Sequence, residues 1–186
     1  MQFTPGQVWG LAVEADRIND GYIKEDVYVY ENECRKLIKQ ANKLMVKQWL
    51  REGHVPSDSD TEQGLAVRHY FNGFLLKEIA GKINDFERQA LKIAQKDEFT
   101  GRDMYDFAVV SCLPAAMLRD QAKKELTTEI RFSTQLAAAV GDRIQGDIEV
   151  IKCYWNQNYG KWRITARMGE SVVDFWGSEE CKGTVS

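Results

Sequence analysis

The chain has no excess of positive charge. Its 186 residues carry 25 Lys and Arg against 28 Asp and Glu, a formal net charge of −3. A protein that holds nucleic acid through a general electrostatic field shows the opposite balance, so any such site here has to be a local patch. Dividing the chain does not change this: residues 1–139 carry 19 basic against 21 acidic side chains, and 140–186 carry 6 against 7.

Paired cysteines are missing too. Cys34, Cys112, Cys153 and Cys181 are far apart, with no C-x-x-C, and neither His54 nor His69 has a Cys or carboxylate at a zinc spacing. No metal and no cofactor is expected. The start, M-Q-F-T-P-G-Q-V-W, lacks the basic region and apolar run of a leader. No stretch approaches the ~18 apolar residues that span a bilayer. The expectation is a cytoplasmic protein with free thiols and no membrane partner.

Catalytic signatures are also absent. There is no G-x-S-x-G, no P-loop and no G-x-G-x-x-G. Asp142, Asp147, Glu149 and Lys152 are residue types of a metal-dependent nuclease. Three of them fall on one presumed strand, however, rather than converging on an ion. Cys112, just before Leu113–Pro114, reads as a packed helix residue. A non-enzymatic protein is expected.

What is present changes character near residue 140. Before it, the pattern is helical. A first helix is expected over Pro5–Ile18, stopped by Asn19–Gly21. A long second helix is expected over Glu25–Arg51. A polar loop follows at Gly53–Asp60, then a Ser59-x-x-Glu62 capping box and a helix through Leu65–Ile79. Gly81 stops it, Asn84-x-x-Glu87 caps the next helix, and Thr100 caps one containing Met104–Cys112. Leu113–Pro114 interrupts, and helix resumes over Ala115–Phe132. On the expected second helix Arg35, Lys39, Lys43, Lys47 and Arg51 recur every fourth residue, with no acid between Arg35 and Arg51. Such a stripe is either a solvated face or a surface for a polyanion or an acidic partner.

From Gly141 onward apolar and polar residues alternate, and three of the five Trp lie there. A first strand switches parity between Val150 and Ile151, which a β-bulge produces. On Lys161–Met168, Trp162, Ile164, Ala166 and Met168 make one face and Lys161, Arg163, Thr165 and Arg167 the other. Ser171–Trp176 is a third strand and Lys182–Val185 a fourth. Because Asp174 avoids a core, Val173 and Phe175 are expected inward, with Trp162. Trp176 then shares the side of Arg163 and Arg167.

The segments G-D-R-I-Q-G-D-I-E-V-I-K, Q-N-Y-G-K-W-R-I-T-A, S-V-V-D-F-W-G-S and K-G-T-V resemble the OB-fold-like C-terminal part of uncharacterised phage and mobile-element proteins. G-K-I-N-D-F-E-R (Gly81–Arg88) resembles the helical region before it. The resemblance covers Gly141–Ser186 and implies an α+β protein: a helical domain over 1–139 and an OB-like module over 140–186. An OB-fold has five strands and four are legible, so the barrel is expected to be incomplete. Such modules bind single-stranded nucleic acid by stacking bases on aromatics and meeting phosphates with cations. On this chain the positions are Lys161, Arg163, Arg167, Tyr159 and Trp176, with Tyr154 and Trp155 flanking the turn. Lys39, Lys43 and Lys47 join them if the stripe contributes. The alternative is a protein–protein factor, an inhibitor or adaptor acting on a host or viral complex. A homodimer is compatible with either, and a phage-encoded chain would work in the host cytoplasm.

Overall fold

The structure is a computed structural model that describes residues 2–31, 34–134, 139 and 142–185. It is an α+β protein, and the chain divides into two compact units, Met1–Asp120 and Gln121–Ser186.

The first unit is built around α1 (Pro5–Asn19). Thr4 caps it by accepting the Gln7 N–H, while the Gln7 side chain takes the Thr4 N–H in return. Pro5 suits the first turn, where no N–H is needed. The helix ends where Asp20 and Gly21 adopt positive φ, 55° and 117°. Val8, Trp9, Leu11, Ala12 and Ala15 are all fully buried, so α1 is apolar on nearly every side and is the central element of this unit. Around it lie α2 (Asn42–Glu52), α3 (Asp58–Asn72), α4 (Leu75–Ile79), α5 (Asp85–Ala94), α6 (Met104–Val110) and the first part of α7 (Leu113–Phe132). Their Val46, Val67, Phe71, Leu91, Ile93, Val110 and Leu113 complete the core. Gly64 lets α3 touch α1: a Cβ there would lie 2.5 Å from the Gly10 amide nitrogen. A short antiparallel pair, β1 (Gln2–Phe3) with β4 (Phe99–Thr100), ties the start of the chain to the segment between α5 and α6.

The long second helix is not formed. Instead β2 (Val27–Glu31) and β3 (Cys34–Lys39) pair as an antiparallel hairpin, and helix begins only at Asn42. The reason lies partly in V-Y-V-Y, whose β-branched and aromatic residues favour a pleated strand. The rest is long-range. The buried Asn42 side-chain oxygen accepts from Ile23 N–H (2.9 Å) and Asn19 Nδ2 (2.8 Å). Asp26 accepts the Ala41 N–H at 2.8 Å. These bonds tie together the two ends of a chain that doubles back.

Smaller corrections concern caps. Ser57, not Ser59, caps α3 by accepting the Asp60 N–H. Thr100 does not cap α6; its own N–H is held by the Asp103 carboxylate. The Asn84–Glu87 box is formed as the sequence predicts.

The second unit holds the end of α7 and an open antiparallel sheet of β5 (Ile148–Asn156), β6 (Lys161–Met168), β7 (Ser171–Gly177) and β8 (Thr184–Val185), in the order β7-β6-β5-β8. No closed barrel forms. The first strand, expected from Gly141, starts at Ile148; Gly141 itself lies outside the described residues. The register shifts between Val150 and Lys152, leaving Ile151 as the extra residue of the expected bulge.

Candidate functional site

The sheet has two faces, set by register. On one, Arg163 stands between Tyr154 and Trp176, Thr165 between Lys152 and Asp174, and Arg167 between Glu149 and Val172. On the other, Ile164 stands between Cys153 and Phe175, and Ala166 between Val150 and Val173. Trp176 therefore lies on the arginine side, as its parity predicts. The apolar face is narrower than expected. Only Ile164 and Ala166 of β6 are buried, Trp162 is half-buried, and Phe175 is exposed.

The arginine face is not a free cationic surface. Arg163 is bidentate to Asp174, with Nε 3.0 Å and Nη2 2.5 Å from Oδ2. That bond, reinforced by the carboxylate charge, raises its already high pKa further. Arg167 bonds Glu149 on β5 at 2.8 Å and Glu129 on α7. Leu126 and Ile130 of α7 line a hollow of about 400 Å³ with Lys152, Arg163 and Asp174. Arg167 is thus committed inside the unit and Arg163 is half committed.

The tip of the sheet, at the β5–β6 turn, is different. Gly160 takes φ 58° there, which lets four turn residues reverse the chain. The Tyr159 ring is 69% exposed and lies 5.0 Å from the Trp176 ring, itself 44% exposed. The Arg163 guanidinium is 5.8 Å from the centre of the Trp176 ring. Lys161 is exposed, opposite Asn156, and makes no ion pair among the described residues. Tyr154 and Trp155 add two more exposed rings, and Trp155 packs edge-on against Trp162 at 5.7 Å. The tip therefore offers stacking surfaces, one unpaired ammonium and the amides of Asn156, Gln157 and Asn158.

The other expected positions, in the first unit, do not form a set. The every-fourth-residue stripe needs one continuous helix, and β3 interrupts it. Arg35 lies on β3, its guanidinium 3.6 Å from the centre of the Tyr28 ring. The Lys39 ammonium donates to the Asn19 carbonyl at 2.5 Å. Lys43 and Lys47 are half-buried positions of α2. Sequence reasoning missed the carboxylates that hold the arginines. Asp174 was findable, since parity puts it beside Arg163; Glu129 carries no local signal.

Cys112 is a packed thiol. Its Sγ donates to the Val109 carbonyl, and burial pushes its pKa up, away from the thiolate a nucleophile needs. Among the described residues no group of three or more His, Cys, Asp or Glu could hold a metal ion, and no helix is long and apolar enough to cross a membrane. In comparisons with protein families, curated proteins and solved structures, none matches this chain.

Proposed function

We propose that this is a non-enzymatic protein of phage or mobile-element type that binds single-stranded nucleic acid at the tip of its β sheet, in the cytoplasm, and in the host's cytoplasm if phage-encoded. The observation that carries the reading is the exposed Tyr159–Trp176 ring pair beside Arg163 and Lys161. Bases stack on such rings at roughly 1–3 kcal/mol each, whatever their identity. Lys161 meets a phosphate, Arg163 backs the Trp176 ring, and Arg167 takes no part. Binding led by stacking has a shallow salt dependence, with a slope of log K against log salt near −0.7 for each phosphate met.

A second reading has its own support. Residues 121–186 contain nine Lys and Arg and nine Asp and Glu. With no net charge in that unit, the same aromatic tip suits an adaptor or inhibitor docking on a protein.

Titration of a labelled oligo(dT) or oligo(U) of about 15 nucleotides at low salt tests the first reading. Trp176→Ala should weaken binding about tenfold or more, equivalent to about 1.4 kcal/mol. Its thermal midpoint should stay near wild type, because the ring is half in water. An early-melting variant would make Trp176 a core residue. A wild type with no affinity for either strand would pass the tip to the protein-partner reading.

A further inference from the structure

Neither strand of the β2–β3 hairpin has a buried residue. Val27, Val29, Tyr30, Leu37 and Ile38 are all exposed, Tyr30 by 74%. Two strands alone are marginally stable in water. Among the described residues, no backbone N–H or C=O of 27–31 bonds to anything outside the hairpin. The outer edge of β2 is therefore an open template for another strand.

The two edges are unlike. β3 carries Arg35, Lys36 and Lys39, and its pairing is irregular at Ile38. Charge and a local bulge are how proteins stop strands adding to an edge. β2 reads Val27-Tyr28-Val29-Tyr30 and carries one charge, Glu31, at its end. One edge is guarded by three cations and an irregular register, and the other only by the acid at its end.

We propose that the less guarded edge of β2 is the seam of a two-fold dimer, pairing antiparallel with β2 of a second copy about Val29. In that register Val29 faces its own equivalent, Tyr28 faces the second copy's Tyr30, and Val27 faces the second copy's Glu31. Tyr28 and Tyr30 share one side of the strand, so the aromatic pairs gather on one face and the valines on the other. Cross-strand aromatic and β-branched pairs stabilise, and no like charges oppose. Arg35, already over Tyr28, flanks the tyrosine cluster.

Closure selects this arrangement. A sheet ordered β3-β2-β2-β3 exposes only guarded edges, and growth stops at two copies. Joining β2 to a second copy's β3 repeats without end and builds a fibre. Joining β3 to β3 places Arg35, Lys36 and Lys39 of two copies on adjacent strands.

Sedimentation equilibrium of the full chain at tens of micromolar should give twice the chain mass of 21.3 kDa. Val29→Lys sets two like charges face to face and should raise the dimer Kd about tenfold or more. Ile38→Lys, on the guarded strand, should leave the Kd unchanged. Far-UV circular dichroism checks that both variants fold. Opposed residues of an antiparallel pair are about 4.5–5.5 Å apart at Cα, within disulfide reach, so oxidised Val29→Cys should yield a peptide linked between position 29 of both copies. That cross-link decides the matter if Val29→Lys does not fold. A monomeric wild type, a dimer indifferent to Val29→Lys, or no link at position 29 overturns the proposal.

Discussion

Asp60 is nearly fully buried yet stays charged, because its partners are in place. Arg17 Nη2 lies 2.9 Å from one carboxylate oxygen and Nε 3.2 Å from the other, and the Ser57 hydroxyl donates at 2.7 Å. The Arg17 bond holds the Asp60 pKa below the ordinary carboxylate range. The unfolded chain therefore takes up the proton more readily than the folded one. The resulting stability is complete above about pH 4 and is lost as pH falls through the folded value. Asp60→Asn should lower the thermal midpoint at pH 7, and its gap from wild type should narrow as pH falls below about 4. A gap constant with pH would deny the ion pair any part. Asp174 makes the opposite case, since its bond to Arg163 competes with the proposed ligand. Asp174→Ala releases that guanidinium. It should steepen the salt slope of single-strand binding by about 0.7, one more phosphate met. An unchanged slope would mean that Arg163 serves only to support Trp176.

At the scale of elements, the α1–α3 contact depends on a missing side chain. A Cβ on Gly64 would lie 2.5 Å from Trp9 C and Gly10 N, which are backbone atoms of a fully packed helix and cannot turn aside. Gly64→Ala should cost at least about 2 kcal/mol through this overlap, despite the better helix propensity of Ala. Urea unfolding measures it, and a neutral result would mean that the two helices separate freely. Helix ends were legible where a cap and its reciprocal partner are three residues apart, as at Asn84 and Glu87. In P-S-D-S-D two serines compete, and the one that bonds Asp60 is selected by a carboxylate whose other partner, Arg17, is 43 positions away. The hairpin was illegible for a related reason. Residues 34–51 have helical spacing, and it takes long-range bonds such as Asn19–Asn42 and Asp26–Ala41 to turn the chain back before Asn42.

At the scale of the whole molecule, local alternation accounts for the sheet. The faces of β6 and β7, the bulge at Ile151, the turns at Gly160 and Gly169 and the side on which Trp176 stands all follow from a period of two and from where glycine allows positive φ. Helical spacing with paired caps accounts for α1 and α5 in the same way, because these features depend on residues within four positions of one another. The division after Asp120 has no mark in the text, since α7 runs across it without a break in helical pattern. The candidate site divides along the same line. Sequence alone determined that Tyr159, Lys161, Arg163 and Trp176 share a turn and one face of adjacent strands. Only the tertiary structure decided that Glu129 of α7 and Glu149 of β5 consume the charge of Arg167. It also decided that Lys39 ends on the Asn19 carbonyl instead of in a stripe of free cations. The physical reason is range: periodicity orients a side chain relative to its neighbours in sequence, while a charge is neutralised by whatever the fold brings within about 4 Å.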